Sequence, residues 1–305
     1  METEAIKAIS AKTLSNEDAF LSIPEPELCS FQRSTYVIQQ VPYEHTSSYL
    51  EGSAKGPEAI IKASHFVEFY DEELDRETYK SCGIATLQAI DFDGKVDEAA
   101  VAYIEACTDS LIEAGKYVVS LGAEHTVTNG FVRAHHKKYP KLAVLQIDAH
   151  SDLRDSYHGN IYSHASVMKR IYDQKIPMVQ VGIRAQCLEE AELIKSSKSI
   201  HTFYAHQIRN NPSWMKEALE KLPQEVYLTI DADGFDPSVI PAVGTAEPNG
   251  LFWNETLAFL KMVFTSRNVI GFDVVECAPL DGSILSEFTL AKLVYRLIGY
   301  KEIGK

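Results

Sequence analysis

The chain is short of cysteine, of basic charge and of long apolar runs, and each shortage argues against a class of protein. Five cysteines occur in 305 residues: Cys29, Cys82, Cys107, Cys187 and Cys277, scattered and with no CxxC pair. That argues against a disulfide framework and against a thiolate zinc site. It fits small buried side chains in a reducing cytoplasm. Lys and Arg total 29 against 43 Asp and Glu, a formal charge of −14 at pH 7. So acidic a chain lacks the basic surface that nucleic acid requires. The same field favours a small cationic substrate, besides keeping the chain in solution. No apolar run approaches the roughly 18 residues of a membrane-spanning helix. The N-terminal METEAIKAISAKTLSNEDAF has neither the basic region nor the apolar core of a signal peptide. There is no GxGxxG and no P-loop, so no redox or nucleotide cofactor is implied.

What remains is an ordinary globular composition, 45% hydrophobic and 24% charged. Strand-like runs are TYVIQQV, KYVVSLG, KLAVLQID, PMVQVGI, EVYLTID and NVIGFDVV. Between them, apolar positions at helical spacing predict helices over Glu98–Ala114, Ser163–Tyr172, Leu188–Ile194, Ser213–Leu222, Asn254–Phe264 and Ser286–Ile298. Strands alternating with helices predict an α/β fold, a mostly parallel sheet covered on both faces. No repeat or linker divides the chain, so residues 1–305 read as one domain. Residues 1–34, polar and broken at Pro24-Glu25-Pro26, read as an N-terminal arm against the body or a neighbouring subunit.

Ligands of open parallel sheets sit beyond the carboxyl ends of the strands, and the polar clusters of this chain fall there. KYVVSLG runs into Ala123, Glu124 and His125. Alone, His125 reads as an ordinary capping or surface residue. KLAVLQID runs into Asp148-Ala149-His150-Ser151-Asp152, where alternate residues of an extended segment share one face. EVYLTID runs into Asp231-Ala232-Asp233, while Asp236-Pro237 reads as a turn. Oxygen and imidazole donors without thiolate suit manganese or a similar divalent ion rather than structural zinc. At an effective dielectric near 20, two unit charges about 4 Å apart interact by roughly 4 kcal/mol. Asp148, Asp152, Asp231 and Asp233 in one pocket would repel each other accordingly, and two divalent cations would neutralise them. A two-metal site can lower the pKa of a water to near neutrality, which implies a hydrolase.

At these residues the chain resembles the ureohydrolase family, which includes arginase and agmatinase. The family's GGDHS, DAHxD and SxDxDxxDP signatures stand here as GAEHT, DAHSD and TIDADGFDP, in the same order. The first departs, with Ala123 for the second Gly and Glu124 for Asp. The resemblance implies a three-layer α/β/α sandwich and a dinuclear manganese centre, with nickel or cobalt as alternative ions. It implies His125, Asp148, Asp152 and Asp231 on one ion and Asp148, His150, Asp231 and Asp233 on the other. YSHASVMKR resembles an agmatinase stretch and implies that His164 passes a proton to the leaving amine. GFDVVECAP places Glu276 where the family has a carboxylate that orients the guanidinium. Without the resemblance, His164 reads as a helix N-terminal residue and Glu276 as a salt-bridge partner at a strand end.

The resemblance implies hydrolysis of a guanidinium group to urea and an amine, with Asp152, His164 and Glu276 as the catalytic residues. VPYEHTSSYLEGSAKGPEAI and GTAEPNGL are more similar to agmatinase than to arginase, so the expectation is agmatine to putrescine and urea. Asp155 or Glu124 would suit a substrate with a second positive end, and Asp155 is a candidate substrate-binding residue beside Glu276 and His164. Arg154 could hold a carboxylate, which keeps guanidinobutyrate and other guanidino acids open. N1-aminopropylagmatine, arginine and free guanidine remain alternatives, as do a non-catalytic binding or regulatory subunit and a one-zinc deacetylase. The resemblance also implies a homo-oligomer, trimer or hexamer.

Overall fold

A computed structural model describes residues 12–304. Eight strands form one parallel sheet: Tyr36–Val41 (β1), Ile84–Thr86 (β2), Tyr117–Gly122 (β3), Ala143–Ile147 (β4), Met178–Ile183 (β5), Ile200–Tyr204 (β6), Glu225–Asp231 (β7) and Asn268–Val275 (β8). Their order is β2-β1-β3-β8-β7-β4-β5-β6. The helices are Gly56–Ser64 (α1), Asp97–Glu113 (α2), Thr128–Lys138 (α3), Val167–Asp173 (α4), Leu188–Ser196 (α5), Trp214–Lys221 (α6), Trp253–Ser266 (α7) and Leu285–Ile303 (α8), with shorter turns between them. Neighbouring helices α2, α3 and α4 cover one face, and α1, α8, α7 and α6 pack in sequence on the other. This is the three-layer α/β/α arrangement, with the two large apolar clusters on opposite faces of the sheet. No helix among the described residues is long and apolar enough to cross a membrane.

The six apolar runs are all strands, buried on both faces as a covered parallel sheet requires. The edge strands β2 and β6 were not expected. The first has three residues and the second, IHTFY, is mostly half-buried, so neither carries the apolar run of a central strand. Helices α1 and α3 were not expected either. In α3 the residues TNGFVRAHHKK include Thr, Asn and Gly, weak helix formers that packing overrides here. Gly130 lets α3 approach α2 closely, since a Cβ there would lie 2.6 Å from Ile104 Cγ2. Residues 1–11 of the expected arm lie outside the described residues. Residues from Lys12 onward run along the body: Gln88 N donates to Lys12 O, Leu14 N donates to Thr86 O, and Phe20, Leu21 and Ile23 are buried.

Two features aim the strand ends. The topology sets β3, β8, β7 and β4 side by side at the centre, so segments far apart in the chain end at one place. Beneath those ends, a row of polar side chains crosses seven strands in register: Gln39, Ser120, Asp273, Thr229, Gln146, Gln180 and Thr202. Ser120, Thr229 and Gln146 stand two positions before Gly122, Asp231 and Asp148, hence on the same face. Hydrogen bonds run along parts of the row, from Thr202 Oγ1 to Gln180 Oε1 (2.8 Å), Gln180 Nε2 to Gln146 Oε1 (2.7 Å) and Thr229 Oγ1 to Asp273 Oδ1 (2.7 Å).

The turn after β7 packs directly on the end of β4. A Cβ at Gly234 would lie 2.8 Å from Asp148 N and 3.0 Å from the Ile147 carbonyl carbon. Both neighbours are backbone and cannot step aside. Gly234→Ala is therefore expected to destabilise the fold by about 1–3 kcal/mol, measured as a lower urea midpoint with the same slope. An unchanged midpoint would mean that the two strand ends are not held in this contact.

Candidate metal centre

The strand ends bring His125, Asp148, His150, Asp152, Asp231 and Asp233 together. His125 opens a short 3-10 turn after β3 and is buried, 1% exposed. Its Nδ1 lies 3.1 Å from Asp148 Oδ2, 3.1 Å from Asp152 Oδ2 and 3.3 Å from Asp231 Oδ2. That nitrogen nevertheless makes no hydrogen bond among the described residues. Its other nitrogen, Nε2, is 2.9 Å from Thr229 Oγ1, which in turn donates to Asp273. The ring is thus fixed from behind while Nδ1 faces three carboxylates. His150 Nδ1 lies 2.9 Å from Asp233 Oδ2 and 3.9 Å from Asp148 Oδ1. Two groups of donors result: His125, Asp148 and Asp152, and Asp148, His150 and Asp233. Asp148 belongs to both, and Asp231 Oδ2 faces the first.

The carboxylates are aimed by the backbone around them. Asp148 accepts from His150 N (2.6 Å) and Gln146 Nε2 (2.7 Å). Asp233 accepts from Ala149 N (3.0 Å), and Asp231 from Asp233 N (2.9 Å), so the two DxD-type segments brace each other. Arg184 clamps the β7 turn, donating to the carbonyls of Asp233 (2.6 Å), Phe235 (3.2 Å) and Glu247 (2.8 Å). Asp152 and Glu276 have positive φ, 53° and 63°. Such strain costs of order 1–3 kcal/mol and persists only where the surroundings impose it. Glu276 is held by its N–H to Ala123 O (2.7 Å) and by its carboxylate, which accepts from His125 N (2.6 Å).

Burial and mutual repulsion dominate the electrostatics. Burial first, then Asp152 and Asp233, push Asp148 up to about 7. Burial, then Asp233 and Asp148, hold Asp231 well above its usual range. Burial pulls His150 down, but Asp233 and its neighbours override it and raise the group to about 11. Burial likewise opposes Asp233, yet His150 holds it near 2. Protons on the imidazoles thus stand where further positive charge is favoured. With oxygen and imidazole donors only, and an unbonded buried Nδ1 facing three carboxylates, these residues fit a pair of hard or borderline divalent cations.

Above these donors opens a cleft of about 240 Å³, lined in part by His150, Asp152, His164, Asp231, Asp233 and Glu276. Asp155 does not join them. Its side chain is 82% exposed and pairs with Arg170 (3.1 Å) and Lys169 (3.5 Å) outside the cleft. Arg154, one residue earlier, does line the cleft, its guanidinium 5.4 Å over the Tyr157 ring. Asp236 serves a turn, accepting from Ser238 N (3.1 Å) and Gly250 N (3.0 Å). Sequence reasoning assigned nothing to Thr46, Thr229, Asp273 or Arg184. The last three carried a signal, each a polar residue inside or just after an otherwise apolar strand.

The Arginase family model matches residues 34–299. The chain belongs to the arginase family. It is 42% identical over 279 residues to the N(1)-aminopropylagmatine ureohydrolase of Synechocystis sp., covering 90% of this chain and 91% of that one. It is 35% identical over 279 residues to the agmatinase of Bacillus anthracis, covering 88% and 92%. The crystal structure of the agmatine ureohydrolase of Thermoplasma volcanium superposes with a TM-score of 0.80 at 27% identity, covering 98% of both chains. The chain is thus an agmatinase-type ureohydrolase, a hydrolase of linear amidines. Its buried His and Asp groups are consistent with the dinuclear metal site of the family.

Removing metal should therefore cost more as pH rises. In the metal-free fold, the contribution of His150 is complete below its ordinary value of 6.5 and is lost as pH climbs toward about 11. The raised Asp148 costs stability as pH passes from its ordinary 3.8 to about 7. The lowered Asp233 contributes fully above 3.8 and changes nothing in this window. Chelated protein is expected to lose stability with rising pH while metal binding, which displaces these protons, strengthens. Tm with and without chelator across pH reads the gap. A gap that narrows as pH rises would contradict this electrostatic account.

Proposed function

We propose that this ureohydrolase acts on N1-aminopropylagmatine, releasing urea and spermidine, with agmatine as the next substrate in order. The observation that carries the choice is the 42% identity to a relative of that name, against 35% to a relative named agmatinase at similar coverage. The cleft agrees with a long cationic chain. Its floor is carboxylate, and its rim carries the exposed Tyr49 and Leu50 and the ring of Tyr157, which can cover methylenes and take an ammonium on an aromatic face. Arg154 at the same rim favours a second reading, a guanidino acid such as guanidinobutyrate.

We assign His125, Asp148, His150, Asp152, Asp231 and Asp233 as the metal donors and manganese as the ion. When bound, the cation pair supplies the charge that lets water lose a proton near neutral pH. Asp152 accepts a hydrogen bond from the attacking water and orients it. Glu276 pairs with the guanidinium. Burial, then Glu124, keep its carboxyl well above the usual range, and an arriving cation offsets that penalty. Water oxygen bonds to the guanidinium carbon, the C–N bond to the chain breaks, and His164 delivers a proton to the departing amine. Burial lowers the pKa of His164, which makes it a readier donor once protonated.

Urea release from the manganese-loaded protein tests the reading. The highest kcat/KM is expected on N1-aminopropylagmatine, and a clear preference for guanidinobutyrate would shift the assignment to Arg154 and the acid. Asp148→Asn and Asp231→Asn should fail to retain metal by elemental analysis. His164→Ala should keep metal and lose about 100-fold or more in kcat. Full activity without Asp231 would refute the site.

A further inference from the structure

The GAEHT segment carries Glu124 where the family signature has Asp; it does not line the cleft where a substrate's second positive end would lie, and the proposed reaction gives it no work. Glu124 is fully buried, beside a centre already crowded with negative charge. It does not point at the metal donors. Its Oε2 accepts from the backbone N–H groups of His45 (2.8 Å) and Thr46 (2.6 Å), and its Oε1 from the Thr46 hydroxyl (3.1 Å). The Thr46 Oγ1 also lies 3.0 Å from His164 Nδ1 and 3.1 Å from His164 N. Three residues distant in the chain thus meet at one hydroxyl.

We propose that Glu124 and Thr46 are positioning residues that set the tautomer of His164, with Nδ1–H donating to Thr46 and Nε2 left for the proton transferred in the reaction. A threonine hydroxyl has one proton. Turned toward His164 Nδ1, that proton would leave two oxygens, Thr46 Oγ1 and Glu124 Oε1, 3.1 Å apart with nothing between them. Turned toward Glu124, it satisfies the carboxylate, and the hydroxyl lone pairs accept from His164 N and from Nδ1–H. Two buried acceptors facing each other with no proton between them are disfavoured, and the other hydroxyl near Nδ1, Ser163 Oγ, is farther off at 3.4 Å, so the second arrangement wins. It also explains the glutamate. One methylene more than aspartate lets the carboxylate reach both backbone amides and the hydroxyl of the 45–46 segment. The ring is oriented further by its edge contact with Tyr157, 5.7 Å between centroids.

This inference rests on the reading of His164 as the proton donor, but its first test does not. Full-length protein with 15N-labelled histidine, loaded with zinc as a diamagnetic ion, is compared by NMR with His164→Ala to assign the ring. Neutral His164 is expected as the Nδ1–H form, and Thr46→Val is expected to abolish that preference. Thr46→Ser, which keeps the hydroxyl, should restore it. Observation of Nε2–H in the parent protein overturns the proposal whatever the activities. Kinetics follow: Thr46→Val and Glu124→Asp should lower kcat by about 10-fold or more with KM changed far less, as for groups that orient a site from behind. Thr46→Ser should recover most of kcat. Equal loss in Thr46→Val and Thr46→Ser would mean that the segment matters only for folding. If His164→Ala is fully active while the tautomer test succeeds, the proton-donor reading fails and the hydrogen-bond arrangement stands.

Discussion

Negative charge held out of water at four adjacent strand ends is the constraint around which this chain is arranged. Asp148, Asp152, Asp231 and Asp233 are each 6% exposed or less. Carboxylates so buried are costly unless something of opposite sign or a set of hydrogen-bond donors meets them. The sheet supplies part of the answer through its polar row, and backbone amides of the strand-end turns supply more. What remains is directional: His125 Nδ1, Asp148 Oδ2, Asp152 Oδ2 and Asp231 Oδ2 all face the same small volume. A fold that needed only stability would replace such a cluster with apolar side chains. That it is built, braced and strained into place is the physical mark of a site made for cations.

The central strands and the His and Asp cluster at their ends, which could hold metal, were legible in the sequence for the same reason. An apolar strand running into Asp-x-His-x-Asp or Asp-x-Asp declares both a buried strand and a polar end, and the i, i+2 spacing gives the face. The edge strands β2 and β6 were not legible, because an edge needs less apolar surface. Helix α3 was hidden by Thr128, Asn129 and Gly130, weak helix formers of which Thr128 bonds to Asp273 and Gly130 allows close packing. Asp155 looked like a cleft residue because it follows DAHSD so closely. Beyond Asp152 at positive φ, however, the chain turns, Arg154 N bonds to Ala165 O, and the next carboxylate faces solvent and two cations.

The polar row shows what a residue-by-residue reading cannot see. Gln146, Gln180, Thr229 and Asp273 each look like a tolerable exception in an apolar strand. Only the register joins them into a belt under the metal donors. Tyr227 (2.8 Å) and Thr128 (3.2 Å) donate to Asp273, Thr229 donates to its other oxygen, and Thr229 in turn stands behind the His125 ring. The precision of the centre therefore depends on side chains that stand behind the candidate donors. Groups of this kind typically change metal affinity or activity by about 10–100-fold.

The same architecture separates chemistry from specificity. The candidate donors come from the carboxyl ends of the central strands, so their geometry is set by the sheet and not by the rim. The rim comes from segments that the sheet does not order: residues 47–50, Arg154 and Tyr157, and Gly244-Thr245. Such loops change without disturbing the core. A chain can therefore keep its hydrolytic centre while its far pocket shifts between a short diamine tail, a longer polyamine and a carboxylate. This is why the reaction class could be read early from DAHSD and TIDADGFDP, whereas the substrate depends on a few rim side chains with no periodic pattern. The segment that carries Thr46 joins the two levels: it reaches the rim at Ser47 and Tyr49, and two residues earlier it is bonded to a carboxylate beside the metal donors. A substrate tail pressing on that rim would be felt at the hydroxyl beside His164, so that on the proposed reading recognition of the far end and delivery of the proton share one short piece of chain.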